Sequence, residues 1–235
     1  GWQLQPDAPT IQGEIEKHLA TIHNNRIVLH GAGRTDAGVH ATGMVAHFHT
    51  DKTIACTTLQ QSLNSMLPTS IRILKITEEN ESFHSRFSAQ SKTYLYSIFN
   101  GNILLPQKRL YSLHIHSSLN FSVIEKCLQL IEGTHDFSSF ETAGSRDQQS
   151  RELNGSTRTI YQAKIIHRPD DFHTFQITGN GFFRHMVRNI VGTVLEAGRG
   201  RRSEVDFGEI VEAKTRSAAG STAPAHGLTL AKIEY

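Results

Sequence analysis

Long hydrophobic runs are missing from this chain, and that absence is the first constraint on it. No stretch approaches the roughly 20 apolar residues of a membrane span, so 235 residues with 37% hydrophobic content read as one large soluble domain or two small ones. Cysteine is scarce too. Cys56 and Cys127 are the only two; they form no CxxC, which removes the common zinc-ribbon and dithiol chemistries and reads as small core residues in a reducing compartment. A dominant charge is also lacking: 24 Lys and Arg against 22 Asp and Glu leave a formal net charge of +2, which permits a nucleic-acid partner without requiring one. The opening GWQLQPDAPT lacks the basic-then-apolar pattern of a signal segment, so the expected location is cytoplasmic with no membrane contact. HExxH, GxSxG and Cys-His nucleophile signatures are absent as well.

What is present is a regular succession of short elements. Ile11, Ile15, Leu19 and Ile22 recur at helical spacing behind Thr10, and RIVLH (26–30) and GMVAHFHT (43–50) read as strands on either side of a glycine loop. TTLQQSLNSML (57–67) reads as a helix stopped by Pro68, and SIRILKI (70–76) alternates as a strand. The second half opens on a strand over 88–99, followed by a helix over 121–132 with Ser122 and Glu125 as its capping box and Gly133 past its end. RTIYQAKIIHR and DFHTFQITG pair around RPDD, a helix covers 184–198, an extra helix 203–214, and GLTLAKIEY is a final strand. Without the extra helix this half reads β-α-β-β-α-β, the split pattern of ferredoxin-like and RNA-recognition domains. The first half is α-β-β-α-β, as though a strand were missing before Gly1. The expected fold class is therefore α+β. Two RNA-recognition-like halves, 1–87 and 88–235, would form a continuous, mainly antiparallel central sheet flanked by helices.

Residues 31–40, GAGRTDAGVH, carry the strongest chemical signal. Three glycines in eight residues describe backbone that turns tightly or lets a ligand approach. Yet GxxxxGK[ST] lacks its lysine, and GxGxxG would need glycine where Asp36 sits. A carboxylate would repel a phosphate, so Asp36 either caps a turn or is displayed to a ligand that wants a carboxylate. On the 184–198 helix, Arg184 and Arg188 fall within or beside the apolar stripe of Val187, Ile190, Val191, Val194 and Leu195. Such arginines either snorkel or pair with a buried acid, and pairing with Asp36 would keep its carboxylate ionised. Tyr94 and Tyr96 alternate onto one strand face, as core or as a base-stacking platform. The histidine pairs His47/His49 and His114/His116 share strand faces, but neither has an identifiable third ligand, so structural roles outweigh zinc.

GWQLQP, GAGRTDAGVHATGMVAHF, FHSRFSAQSKTYLY, HDFSSF, GNGFFRHMVRNIVGTVLEAGRG and GLTLAKIEY occur in an order that resembles, end to end, the tRNA pseudouridine synthases of the TruA family, which act on uridines at tRNA positions 38 to 40. The resemblance implies that Asp36 is the catalytic aspartate, Tyr94 the active-site tyrosine of the K/R-x-Y-x-Y block, and Arg188 the basic partner of the aspartate. It further implies a tRNA substrate, a metal-free and cofactor-free homodimer, and a basic cleft in which Arg34, His40 and Arg184 are candidate RNA contacts. The family's first block begins with a strand ahead of GWQ, in agreement with the missing strand. The long polar loop 141–157 carries no implied role. Isomerisation requires a flipped-out base, cleavage of its N1–C1′ bond, rotation, and rejoining through C5. Asp36 would act as covalent nucleophile or as the base that removes the 2′ proton, and the sequence leaves both routes open. Two other readings are a non-catalytic RNA-binding module and, more weakly, a glycosidase lacking its second carboxylate.

Overall fold

The computed structural model describes residues 1–142 and 155–235; most of the 141–157 loop lies outside the described residues. The chain forms two compact units. The first comprises Gly1–Gly38, Met44–Ala89 and Tyr235, and the second Val39–Gly43 and Gln90–Glu234. Among the described residues, five helices accompany a mostly antiparallel open sheet, so the protein is α+β.

In the first unit, helix α1 (Ile11–His23) starts where the Thr10 side chain accepts a bond from the Gly13 amide, and it ends at Asn24 in the left-handed region. Its Ile15 and Leu19 bury against Leu59 and Leu63 of α2 (Cys56–Met66), with Trp2, Ile27, Leu29 and Leu67 completing one core. The expected strands are far shorter here: β1 is His30–Gly31 and β3 is Ala46–His47, paired antiparallel, with β2 (His40–Ala41) between them in sequence. Segment 70–76 is no strand at all. The reason lies in the helices. Asn64 of α2 bonds both the amide and the carbonyl of Ile73 at 2.8 Å, and Gln60 donates to the same carbonyl. Likewise Glu16 of α1 accepts from the Leu29 amide while Gln12 donates to the Leu29 carbonyl. Ile71 and Ile73 still turn inward with the period of a strand, but helix side chains, rather than a neighbouring strand, satisfy these backbone groups.

The second unit is built on β4 (Ser91–Phe99), paired along one edge with β8 (Phe172–Gly179) and along the other with β9 (Leu228–Glu234). β7 (Thr157–His167) pairs β8, β6 (Gly133–Asp136) pairs β7, β2 joins β9 in parallel, and short β5 (Leu113–His114) joins β4. The order β2-β9-β4-β8-β7-β6 inserts β8 between β4 and β7 and β4 between β8 and β9. Both helical crossovers are therefore split by an antiparallel strand. Among the described residues, pairing forms two sheets, β1 with β3 and the seven-stranded sheet, where the sequence leads one to expect a single continuous one.

Helix α3 is Phe121–Gln129, capped by Asn120 accepting from Val123, so the Ser122–Glu125 box is not the cap. Its end also differs: Gly133 opens β6 with a φ of +100°. α4 (Met186–Gly198) is buried on nearly every face, and α5 (Glu204–Ala213) carries a reciprocal capping box between Ser203 and Asp206. Tyr96, Ile98, Phe175 and Ile177 of the sheet pack with Ile190, Val191 and Val194 of α4 into a second core. Cys127 is buried in that core; Cys56 is half-buried, and both are free thiols.

Candidate active site

The expected site residues divide between the two units: Asp36 and Arg34 belong to the first, His40, Tyr94, Arg184 and Arg188 to the second. In the first unit the glycine loop is shaped mainly by backbone contacts. The Trp2 amide donates to the Thr35 carbonyl at 3.0 Å, the Ala32 amide to the Val45 carbonyl at 2.8 Å, and Gly38 adopts a φ of +82° that side-chain-bearing residues avoid. Asp36 is half-buried on this loop; Arg34, Ala37 and Gly38 beside it are exposed. Gly31 serves another purpose than ligand approach. A Cβ there would lie 2.5 Å from the Trp2 indole, so its smallness makes room for that ring.

Behind the loop stands a histidine cluster. His47 lies 4.5 Å from His84, 5.1 Å from His30 and 5.6 Å from His49 by ring centroids. Its Nδ1 accepts the Ser85 amide at 3.2 Å, and the Ser85 hydroxyl, 2.9 Å from that nitrogen, donates to the His30 carbonyl at 2.7 Å. Burial, and then repulsion from His84, His30 and His49, hold His47 below the ordinary imidazole range. The folded state thus prefers neutral His47. Its contribution to stability is present above the unfolded value of about 6.5 and is lost as pH falls through the lower folded value. On acidification from pH 7.5 to 5.5, the melting midpoint of the wild type should therefore drop further than that of His47→Gln; equal drops would show that this histidine does not couple folding to pH. Among the described residues, no group of three or more histidine, cysteine or acidic side chains could hold a metal ion.

In the second unit Tyr94 and Tyr96 separate clearly. Tyr96 is fully buried, donates its hydroxyl to the Pro224 carbonyl at 2.9 Å, and has its phenol pushed up by burial, against the opposing pull of the Arg188 charge. It is a core residue. Tyr94 is half-buried, its ring edge-on to Phe182 at 5.1 Å, and the β4–β9 register slips between Thr93 and Tyr94. The residue left over by the slip is Ala231 of β9, and such bulges are over-represented beside active sites.

Arg184 does not lie on the helix as expected. α4 starts at Met186 after His185 in the left-handed region, and Arg184 is an exposed residue ahead of it. Arg188 is on α4, half-buried, and does not simply snorkel: its Nε donates to the Ala223 carbonyl at 2.7 Å, while the Ala223 amide donates to the Arg188 carbonyl at 3.0 Å. His40 is half-buried, stacked on Tyr111 at 4.6 Å, with Nε2 2.6 Å from the Leu110 carbonyl. The stretch 216–224 that anchors Arg188 goes unremarked in the sequence reading. Its signal is on α4, where Asn189, Thr193 and Glu196 interrupt the apolar run at helical spacing and so mark a face that must meet polar backbone.

A family model described as tRNA pseudouridine synthase matches residues 2–88 and 127–235 of the chain. The chain belongs to that family. Curated relatives agree: "tRNA pseudouridine synthase A 1" of Desulfotalea psychrophila is 52% identical over all 235 residues, covering 94% of the relative's length. "tRNA pseudouridine synthase A" of Anoxybacillus flavithermus is 40% identical over the whole chain and 93% of its own length, and that of Maridesulfovibrio salexigens 39% identical over the whole chain and 85%. The protein is thus a tRNA pseudouridine synthase, an isomerase of uridine in tRNA. No helix among the described residues is long and apolar enough to cross a membrane.

Proposed function

We propose that this synthase converts uridines at positions 38 to 40 of the tRNA anticodon stem-loop, with Asp36 as the group that attacks the ribose or removes its 2′ proton. The observation that carries the reading is a half-buried carboxylate on a backbone-held loop whose flanking residues 34, 37 and 38 are exposed, which leaves access for a flipped nucleotide. Tyr94 offers a hydroxyl and a ring to the base, and we assign Arg188 as the basic partner of the catalytic aspartate. Arg34, His40 and Arg184 are the residues assigned to contact the RNA. We read the halves 1–87 and 88–235 as two RNA-recognition-like modules, supported in the second by its doubly split crossover order. We read the enzyme as a cytoplasmic homodimer with a basic cleft; light scattering should give twice the chain mass.

Incubation with unmodified tRNA, followed by chemical labelling of pseudouridine at nucleotide resolution, tests the proposal. Product confined to positions 38 to 40 is expected. Product elsewhere removes the assigned specificity, and binding without product removes the catalytic reading. Tyr94→Phe retains the ring against Phe182 and so keeps fold and stacking. Turnover should fall roughly 10²-fold, the lower range for a lost proton-transfer group, with little change in tRNA affinity. A full-speed variant would reduce Tyr94 to a platform.

A further inference from the structure

The segment from Arg216 to Pro224 lies along α4, held there by bonds to Arg188, Asn189, Thr193 and Glu196. The Gly220 amide donates to Thr193 Oγ1 at 2.9 Å and the Ser221 amide to Glu196 Oε1 at 3.0 Å. Thr222 Oγ1 donates to Asn189 Oδ1 at 2.6 Å, and the Arg216 guanidinium reaches both Asn189 Oδ1 and Thr222 Oγ1 at 3.2 Å. Asn189 and Thr193 are fully buried. The Asn189 amide nitrogen donates to the Phe140 carbonyl at 2.8 Å, which fixes which end of the amide faces Thr222. Next along the chain comes Ala223, whose amide and carbonyl both bond Arg188.

Two buried polar side chains, Asn189 and Thr193, on a mostly apolar helix are costly unless each is bonded. Here both, with half-buried Glu196, address the same strap, which runs directly into the carbonyl that grips Arg188. Arginine has a long, rotamer-rich side chain, and it meets carboxylates through its terminal nitrogens in a planar fork. Holding Nε against a fixed carbonyl sets the plane of that fork before any ligand arrives.

We propose that Thr222, Asn189 and Arg216 are positioning residues for the isomerisation, acting through the Ala223 carbonyl to orient the Arg188 guanidinium. The inference rests on the reading of Arg188 as the partner of the catalytic carboxylate. Thr222→Val keeps the shape and removes the hydroxyl that donates to Asn189, whereas Thr222→Ser retains it. Single-turnover rate, tRNA affinity and melting midpoint are measured for both variants beside Arg188→Lys.

The expected result for Thr222→Val is a roughly tenfold slower rate with tRNA affinity and melting midpoint near wild type, and recovery of the rate in Thr222→Ser. A merely structural role would lower the midpoint and would not separate rate from affinity. An unimpaired Thr222→Val beside a slow Arg188→Lys overturns the positioning inference alone. Full speed in Arg188→Lys removes the reading of Arg188 beneath it. If Thr222→Val does not fold, Arg216→Met removes the same network from its outer side, with the same expected split and the same overturning result.

Discussion

Asparagine in place of Asp36 should leave a folded, tRNA-binding protein that makes no detectable pseudouridine. The substitution preserves size and the capacity to bond nearby backbone, and it removes only the charge. Were Asp36 a turn residue, asparagine would be nearly neutral, because both residues favour such turns and bond them locally. The loop is held chiefly from elsewhere, by the Trp2 amide on Thr35, by the Ala32 amide on Val45 and by the positive φ of Gly38. Its shape should therefore survive. A neutral amide can neither attack C1′ nor take a 2′ proton, so the loss should be at least about 10²–10⁴-fold, the range for one proton-transfer group. The affinity for tRNA should stay within severalfold, since phosphate contacts from basic side chains supply most of it. Single-turnover labelling and a filter-binding titration measure the two quantities separately. A variant that forms pseudouridine at a comparable rate would falsify the assignment of this loop as the catalytic centre.

Most helix positions were legible because their causes are local, the α3 cap and the α4 start excepted. The Thr10 cap, the Leu59/Leu63 spacing and the Ser203–Asp206 box are all written within one turn of sequence. Strands in the first unit were not, because a strand exists only when another strand meets it. Segments 26–29 and 70–76 have the alternation of strands, yet Gln12, Glu16, Gln60 and Asn64 take up their backbone groups. Nothing in RIVLH or SIRILKI distinguishes the two outcomes. The second unit is more legible. Its long strands alternate cleanly and its helices lie between them, so the crossover pattern was visible in the sequence itself.

The candidate site divided in the same way. Asp36 stood out because a carboxylate occupies a loop otherwise fit for phosphate, and Tyr94 was singled out by alternation shared with Tyr96. Only the structure separates those two rings: Tyr96 is sealed against Pro224, whereas Tyr94 follows a register slip that is invisible in sequence. Arg184 was placed on the helix by periodicity, which cannot register the left-handed His185 that delays the helix start. The strap from 216 to 224 escaped notice because its small residues carry no periodicity, and their partners lie more than 20 residues upstream.

Gly192→Ala should be the most damaging single methyl group in the second unit. A Cβ on Gly192 would lie 1.8 Å from the Ser221 carbonyl oxygen and within 3.1 Å of the Ala223 amide nitrogen. These are backbone atoms and cannot rotate away, so the strap must lift from α4 by more than an ångström. The bonds from Gly220 to Thr193, from Ser221 to Glu196 and between Ala223 and Arg188 lift with it. Overpacking costs about 1–3 kcal/mol and each weakened bond roughly 1 kcal/mol, against about 1 kcal/mol gained by replacing glycine within a helix. The net loss is of order 4–6 kcal/mol, which in a chain of this size lowers the melting midpoint by roughly 8–24 °C. Gly208→Ala in α5 is the control. Its added Cβ would find only Leu130 Cδ1, at 3.9 Å, so the helix gain stands alone and the midpoint should hold or rise. Because Gly192→Ala also moves the carbonyl that grips Arg188, its turnover at a temperature where it remains folded should fall while that of Gly208→Ala does not. Equal midpoints for the two alanine variants would mean that the strap does not rest on α4 as tightly as these distances require.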